Sequence, residues 1–209
     1  MKNLKFAAAG IALCASMLLT ACSGGGSSVE YTKSTVDEDS GKFTSEFLGI
    51  GADFDTEEWI FLNDTLSSYN GGKTTEEELK AVLNSGSVTN SMIYEMFVGK
   101  ESGTNINIVI QNTKVAGGFS EEGYVDMSLD GIEDQLENAG TMKNPKAEKN
   151  SVTFAGAKHY CLDVSGESQG MELHERLICI KVGDYMGIVT ITSLSTAERD
   201  EITKMFYAV

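Results

Sequence analysis

The stretch "AKHYCLDVSGESQGMELHERLICIKVGDYMGIVTITS", residues 157–193, decides the fold. Within it, AKHYCLDVS, LHERLICIKV and YMGIVTITS are rich in β-branched, aromatic and aliphatic residues and read as three consecutive strands. Gly183 and Asp184 supply a two-residue turn between the last two, which makes those strands antiparallel neighbours. Apolar side chains fall on both faces of every run. An antiparallel sheet with two apolar faces needs a covering layer on each side.

Placing Tyr160, Leu162 and Val164 on one face with Ile178, Ile180 and Val182 pairs Leu162 with Ile178. That register sets Cys161 directly opposite Cys179, at a separation close to what a disulfide spans. An oxidising compartment permits the bond, and a reducing one leaves both thiols packed as small hydrophobes.

Three segments have the pattern of covering helices. TTEEELKAVLNSG offers Thr75 and Glu78 as a capping box and Gly86 as a stop. SEEGYVDMSLDGIEDQLENAG has Ser120 as N-cap and an apolar stripe of Val125, Leu129, Ile132, Leu136 and Ala139, which reads as one long amphipathic helix. STAERDEITKMFYAV repeats the capping logic with Ser195 and Glu198 and then buries Ile202, Met205 and Phe206. SMIYEMFVG and TNINIVIQN form a further hairpin over KESG, with Ile106, Ile108 and Ile110 on one face and Val109 on the reverse. The expected architecture is α+β, a three-layer α/β/α sandwich around a mainly antiparallel sheet.

The N-terminus differs in kind. Lys2 and Lys5 precede an uncharged run over residues 6–21, the pattern of an export signal and too short and alanine-rich for a comfortable membrane span. Leu19, Thr20, Ala21 and Cys22 resemble a bacterial lipobox, which implies acylation of Cys22 and removal of residues 1–21. The alternative is an ordinary secretory signal with a chance cysteine. Residues 23–40 carry almost no large apolar side chain and read, with Cys22, as a flexible tether. Residues 41–209 then form one domain of ordinary size.

The opening FTSEFLGIGADFDTEEWIFL, the YEMFV…INIVIQN hairpin, the long helix and VTFAGAKHYCLDV leading into the last strands are together similar to small bacterial lipoproteins with a PsbP/Mog1-like sandwich. The resemblance covers nearly all of residues 41–209 and implies a non-enzymatic binding or assembly module with no active site to carry over.

Motifs that imitate catalytic ones lack their context. GESQG, residues 166–170, matches G-x-S-x-G around Ser168, but a strand follows where a helix is required, and His174 lies only six residues on. A hairpin loop is the simpler reading, and a hydrolase using Ser168 or a carboxylate pair is the alternative function. Gly72, Lys73 and Thr74 fit the tail of a phosphate loop whose leading glycine is replaced by Ser67. His159 and His174 are the only histidines and have no zinc-ligand spacing. Asp53, Asp55, Glu57 and Glu58 form a speculative cation-binding cluster beside Trp59, although DFDTEEW supplies only a fragment of a calcium loop. Trp59 itself reads as core. No pattern calls for a cofactor.

The chain carries net charge −15, and loss of Lys2 and Lys5 with the leader takes it to −17, which disfavours nucleic acid as a partner. The sequence therefore implies an acidic protein facing outside the cytoplasm. It is held to the cell membrane by lipid on Cys22 and binds an unidentified protein or small molecule.

Overall fold

The structure is a computed structural model that describes residues 29–86, 91–114 and 118–209. The expected export signal, Cys22 and the first part of the expected tether lie outside the described residues. Two antiparallel sheets organise the rest. The larger has seven strands in the order β4 (Ile60–Phe61), β5 (Met92–Gly99), β6 (Asn105–Asn112), β10 (Tyr185–Ser193), β9 (Met171–Val182), β8 (Ala157–Ser168) and β7 (Lys143–Phe154). The smaller pairs β1 (Thr35–Asp37), β2 (Lys42–Ser45), β3 (Ile50–Asp53) and β11 (Phe206–Ala208).

Two cores lie on either side of the large sheet, as its two-faced apolar pattern requires. Beneath the small sheet, Phe43, Ile50 and Phe54 pack with Ile106, Ile108, Ile110 and Ile178, and with Leu79 and Leu83 of α2 (Glu76–Leu83). On the reverse face, α3 (Glu121–Leu129) and α4 (Ile132–Asn138) bury Val125, Ile132 and Leu136 against Leu162, Val164 and Leu177. The α+β sandwich is the architecture found, with a four-stranded sheet sharing one outer layer with helices. Gly187 permits the close approach of that layer, because a Cβ there would lie 2.5 Å from Leu48 Cδ2. Trp59 is buried in this core, with Lys100 Nζ 4.8 Å from its ring centre.

Local chemistry explains where elements start and stop. Thr75 and Glu78 form the reciprocal capping box of α2, and Ser120 caps α3 by accepting from the Gly123 N–H. The single long helix is corrected to two. Gly131 adopts φ 82, in the left-handed region, and breaks the helix between Leu129 and Ile132. The break lets α3 lie along β8 and α4 along β7, following the sheet's twist. At the C-terminus α5 (Thr196–Thr203) is short, and residues 206–208 extend as β11 rather than as helix, pairing Phe206 with Ala52.

The domain begins earlier than residue 41. Tyr31 is 2% exposed within the core, and β1 pairs with β2 from Thr35. One aromatic ring and a set of polar bonds hold a segment whose composition looks like linker.

The register of the decisive hairpin is also corrected. Ser168 faces Met171 across a turn in which Gln169 and Gly170 both have positive φ (52 and 81), the pattern of a tight type I′ turn. This pairs Cys161 with Ile178 and Leu162 with Leu177, one residue away from the expected register. A slip of one exchanges faces. Cys161 and Cys179 are therefore on opposite sides of the sheet, both free and buried.

Candidate ligand-binding cleft

A cleft of about 280 Å³ opens between the first described residues, α1 (Asn63–Tyr69), the loop over residues 70–75 and β5. Its position follows from an irregularity in β5. The ladder with β6 shifts between Tyr94 and Met96, so Glu95 is the extra residue of a bulge. The bulge sends Glu95 inward, where it is 5% exposed. Its Oε1 accepts from the Tyr31 hydroxyl, and its Oε2 accepts from the Ser34 hydroxyl and, at 3.0 Å, from the Ser34 N–H. Burial pushes the Glu95 carboxyl above its ordinary range against the pull of these bonds, and raises the Tyr31 hydroxyl as well. Glu95 thus clamps residues 31–34 onto the sheet and has no oxygen left over for proton transfer.

Asn70 closes the opposite wall. Its side chain donates to the Tyr94 carbonyl and accepts from the Tyr94 N–H, both at 2.9 Å, imitating a strand partner for the exposed side of β5. Tyr69 stacks on Tyr94 with ring centres 4.9 Å apart. The following Gly71 and Gly72 both have positive φ (63 and 79) and turn the chain toward Lys73 and Thr74. Lys33 Nζ donates to the Thr74 carbonyl at 2.6 Å, and its backbone N–H donates to Glu76. Leu66, Val36 and Leu79 give the cleft an apolar side, while Lys33, Lys73, Asn63 and Ser67 give it a polar one. Lys73 and Thr74 therefore line a cleft, in a helix-to-helix loop that also holds Gly72. The amides just before α2 are taken by Glu78, whose Oε2 accepts from the Thr74 and Thr75 N–H groups at 3.1 Å.

The other sequence-derived residues are dispersed. Ser168 is the last residue of β8 and buried, and only Gln169 and Gly170 form the loop. His174 faces Ser165, not Ser168, across the ladder, and its Nε2 lies 3.3 Å from Glu172. Asp53, Asp55, Glu57 and Glu58 are all exposed. Asp53 accepts from the Tyr207 hydroxyl, Asp55 from the Glu57 N–H, and Glu58 pairs with Lys100. No group of three or more metal-ligating side chains occurs among the described residues. No helix among them is long and apolar enough to cross a membrane.

No family model matches the chain, and no curated protein matches it in sequence. Among solved structures it is similar to CyanoP, the cyanobacterial PsbP of Synechocystis sp. PCC 6803, at 9% identity and TM-score 0.45, over 89% of this chain and 98% of that one. It is similar to LpqN of Mycobacterium tuberculosis, described as involved in cell envelope biogenesis, at 8% identity and TM-score 0.36, over 76% and 82%. A Pseudomonas aeruginosa protein of unknown function, PA94, matches at 20% identity and TM-score 0.33, over 46% of this chain and 63% of that one. With identities and TM-scores this low, none of the three transfers a role to this chain.

Proposed function

We propose that this chain is a lipid-anchored extracytoplasmic binding module without catalytic chemistry, held to the membrane through Cys22 and offering the cleft at Lys73 to a small polar ligand. One observation carries the reading. Lys33 and Ser34, inside the segment that resembles a tether, are themselves a wall of the cleft, and Ser34 is fixed there by Glu95. Attachment and cleft are thus built from one segment. The cleft combines an apolar side with lysine, asparagine and serine groups, the mixed lining of a recognition site. Its one buried carboxylate is fully engaged as a clamp.

Two variants test the two halves. Cys22→Ala is expected to release the protein from the membrane fraction or leave the precursor uncleaved. Equal lipid labelling of wild type and variant would refute the anchor. A thermal-shift screen of small anions is expected to find a ligand whose stabilisation is lost in Lys73→Glu. Stabilisation that survives the charge reversal would place binding elsewhere.

A further inference from the structure

Asn70 is the only asparagine in the chain that is followed by glycine, and the pair Asn70–Gly71 ends α1 at the wall of the cleft. An asparagine in that setting deamidates readily, because glycine has no side chain to shield its nitrogen and adopts backbone angles closed to other residues. The Gly71 nitrogen gives its proton to water and attacks Asn70 Cγ, the Cγ–Nδ2 bond breaks and ammonia leaves. The resulting five-membered imide takes up one water at either carbonyl and opens to aspartate or isoaspartate. Water is the only reactant consumed.

The fold holds both reacting groups away from this path. The Asn70 amide is fixed from two sides, accepting from the Tyr94 N–H and donating to the Tyr94 carbonyl, both at 2.9 Å. The Gly71 N–H donates to the Ser68 carbonyl at 3.0 Å. With Asn70 at ψ 8, the Gly71 nitrogen nearly eclipses the nitrogen of Asn70 itself, one tetrahedral position away from the Cβ branch that it must meet. The ring therefore closes only after residues 69–72 leave the edge of β5. They are lightly fastened there. No residue of α1 is buried, and Tyr69, which stacks on Tyr94, is 44% exposed.

We propose that Asn70 is a deamidation site gated by its own hydrogen bonds to Tyr94, and that its conversion frees the edge of β5 irreversibly. An aspartate at this position has no N–H for the Tyr94 carbonyl and sets a negative charge against it. The new carboxylate also has a competing partner, because Lys73 Nζ lies beside Gly71, 3.6 Å from the point where a side chain would begin. Isoaspartate routes the main chain through Cβ and lengthens the turn that Gly71 and Gly72 make. Neither product restores the pair of bonds. The site belongs to the wall of the cleft and holds whatever the cleft binds.

Full-length protein in detergent, held at mildly alkaline pH, is expected to deamidate at residue 70 about tenfold or more slowly than the same chain in urea. Peptide mass mapping with isoaspartate detection reads both rates. Tyr69→Ala removes the stack and is expected to speed the native reaction about fivefold, the worth of one aromatic pair, while leaving the rate in urea unchanged. Asn70→Asp, one of the two products, is expected to exchange the Tyr94 amide hydrogen about tenfold faster than wild type, with exchange in β9 and β10 unaltered. Equal rates in the native chain and in urea, no conversion at residue 70 in urea, a native rate untouched by Tyr69→Ala, or wild-type exchange at Tyr94 in Asn70→Asp would each overturn the proposal.

Discussion

Cys161 and Cys179 occupy opposite faces of the seven-stranded sheet, one in the core beneath the small sheet and the other in the core beneath α3. The sheet between them prevents their sulfurs from meeting, whatever the redox state of the surroundings. Burial also pushes the Cys161 thiol up to about 11, so little thiolate is present near neutral pH. Air-oxidised protein is expected to yield both thiols as free on alkylation in denaturant and to resist alkylation when native. An intact mass lower by two hydrogens would contradict this.

The missed register shows where the sequence was legible and where it was not. Strand existence, the hairpin over residues 100–104 and the caps at Thr75 and Ser120 follow from local patterns, because each depends on a few adjacent residues. Register in a strand apolar on both faces does not, since a slip leaves both faces apolar. The deciding signals were the Gln169 and Gly170 turn, hidden within an apparent G-x-S-x-G, and the facing pair Asp163 and Arg176. The Glu95 bulge has no local signature, because its partners Tyr31 and Ser34 lie more than sixty residues away.

Glu175 is expected to make stability fall with rising pH. It is fully buried, with one oxygen accepting from the Thr192 hydroxyl and the other without a partner among the described residues. Burial pushes its carboxyl from 4.5 up to about 7, against the Thr192 bond. Between these values the folded chain keeps a proton that the unfolded chain releases, so stability drops across that window and levels off above it. The loss is on the order of 3 kcal/mol. Urea denaturation at pH 5 and pH 8 should show this difference in wild type and a smaller one in Glu175→Gln. Identical pH slopes would exclude Glu175 as the source.

The Glu95 clamp is expected to be worth about 2 kcal/mol. Glu95→Gln keeps the shape but replaces one acceptor oxygen with an amide that cannot accept from either Tyr31 or Ser34. The urea midpoint should fall, and Tyr31→Phe added to it should cost less than it does alone, because the two residues share one interaction. Strict additivity would show that the two residues are independent.

Two glycines should respond differently to alanine. At Gly131 only Gln135 lies within 4.0 Å of an added methyl, so the cost is the left-handed backbone, about 1–2 kcal/mol. At Gly187 the methyl meets Leu48 and pries the layers apart, with an expected cost of about 1–3 kcal/mol. Thermal melts of both variants check the magnitudes. A crystal structure should show Leu48 displaced in Gly187→Ala alone.

The clamp at Glu95 also sets how the domain bears load. Residues 31–34 meet β5 through side chains and one backbone amide, not through a ladder of strand bonds. A pull on the N-terminal side therefore falls on the Glu95 bonds, on those of Lys33 to Thr74 and Glu76 and on the Glu30–Lys80 pair before it reaches either sheet. If those contacts open, five or so residues peel away and the free N-terminal segment lengthens by about 15 Å, at roughly 3.3 Å per residue. A domain anchored through Cys22 would then stand farther from the membrane, with Tyr31 lost from the core beneath the small sheet and the cleft short of one wall. Extension of the N-terminal segment and an intact cleft are mechanically opposed.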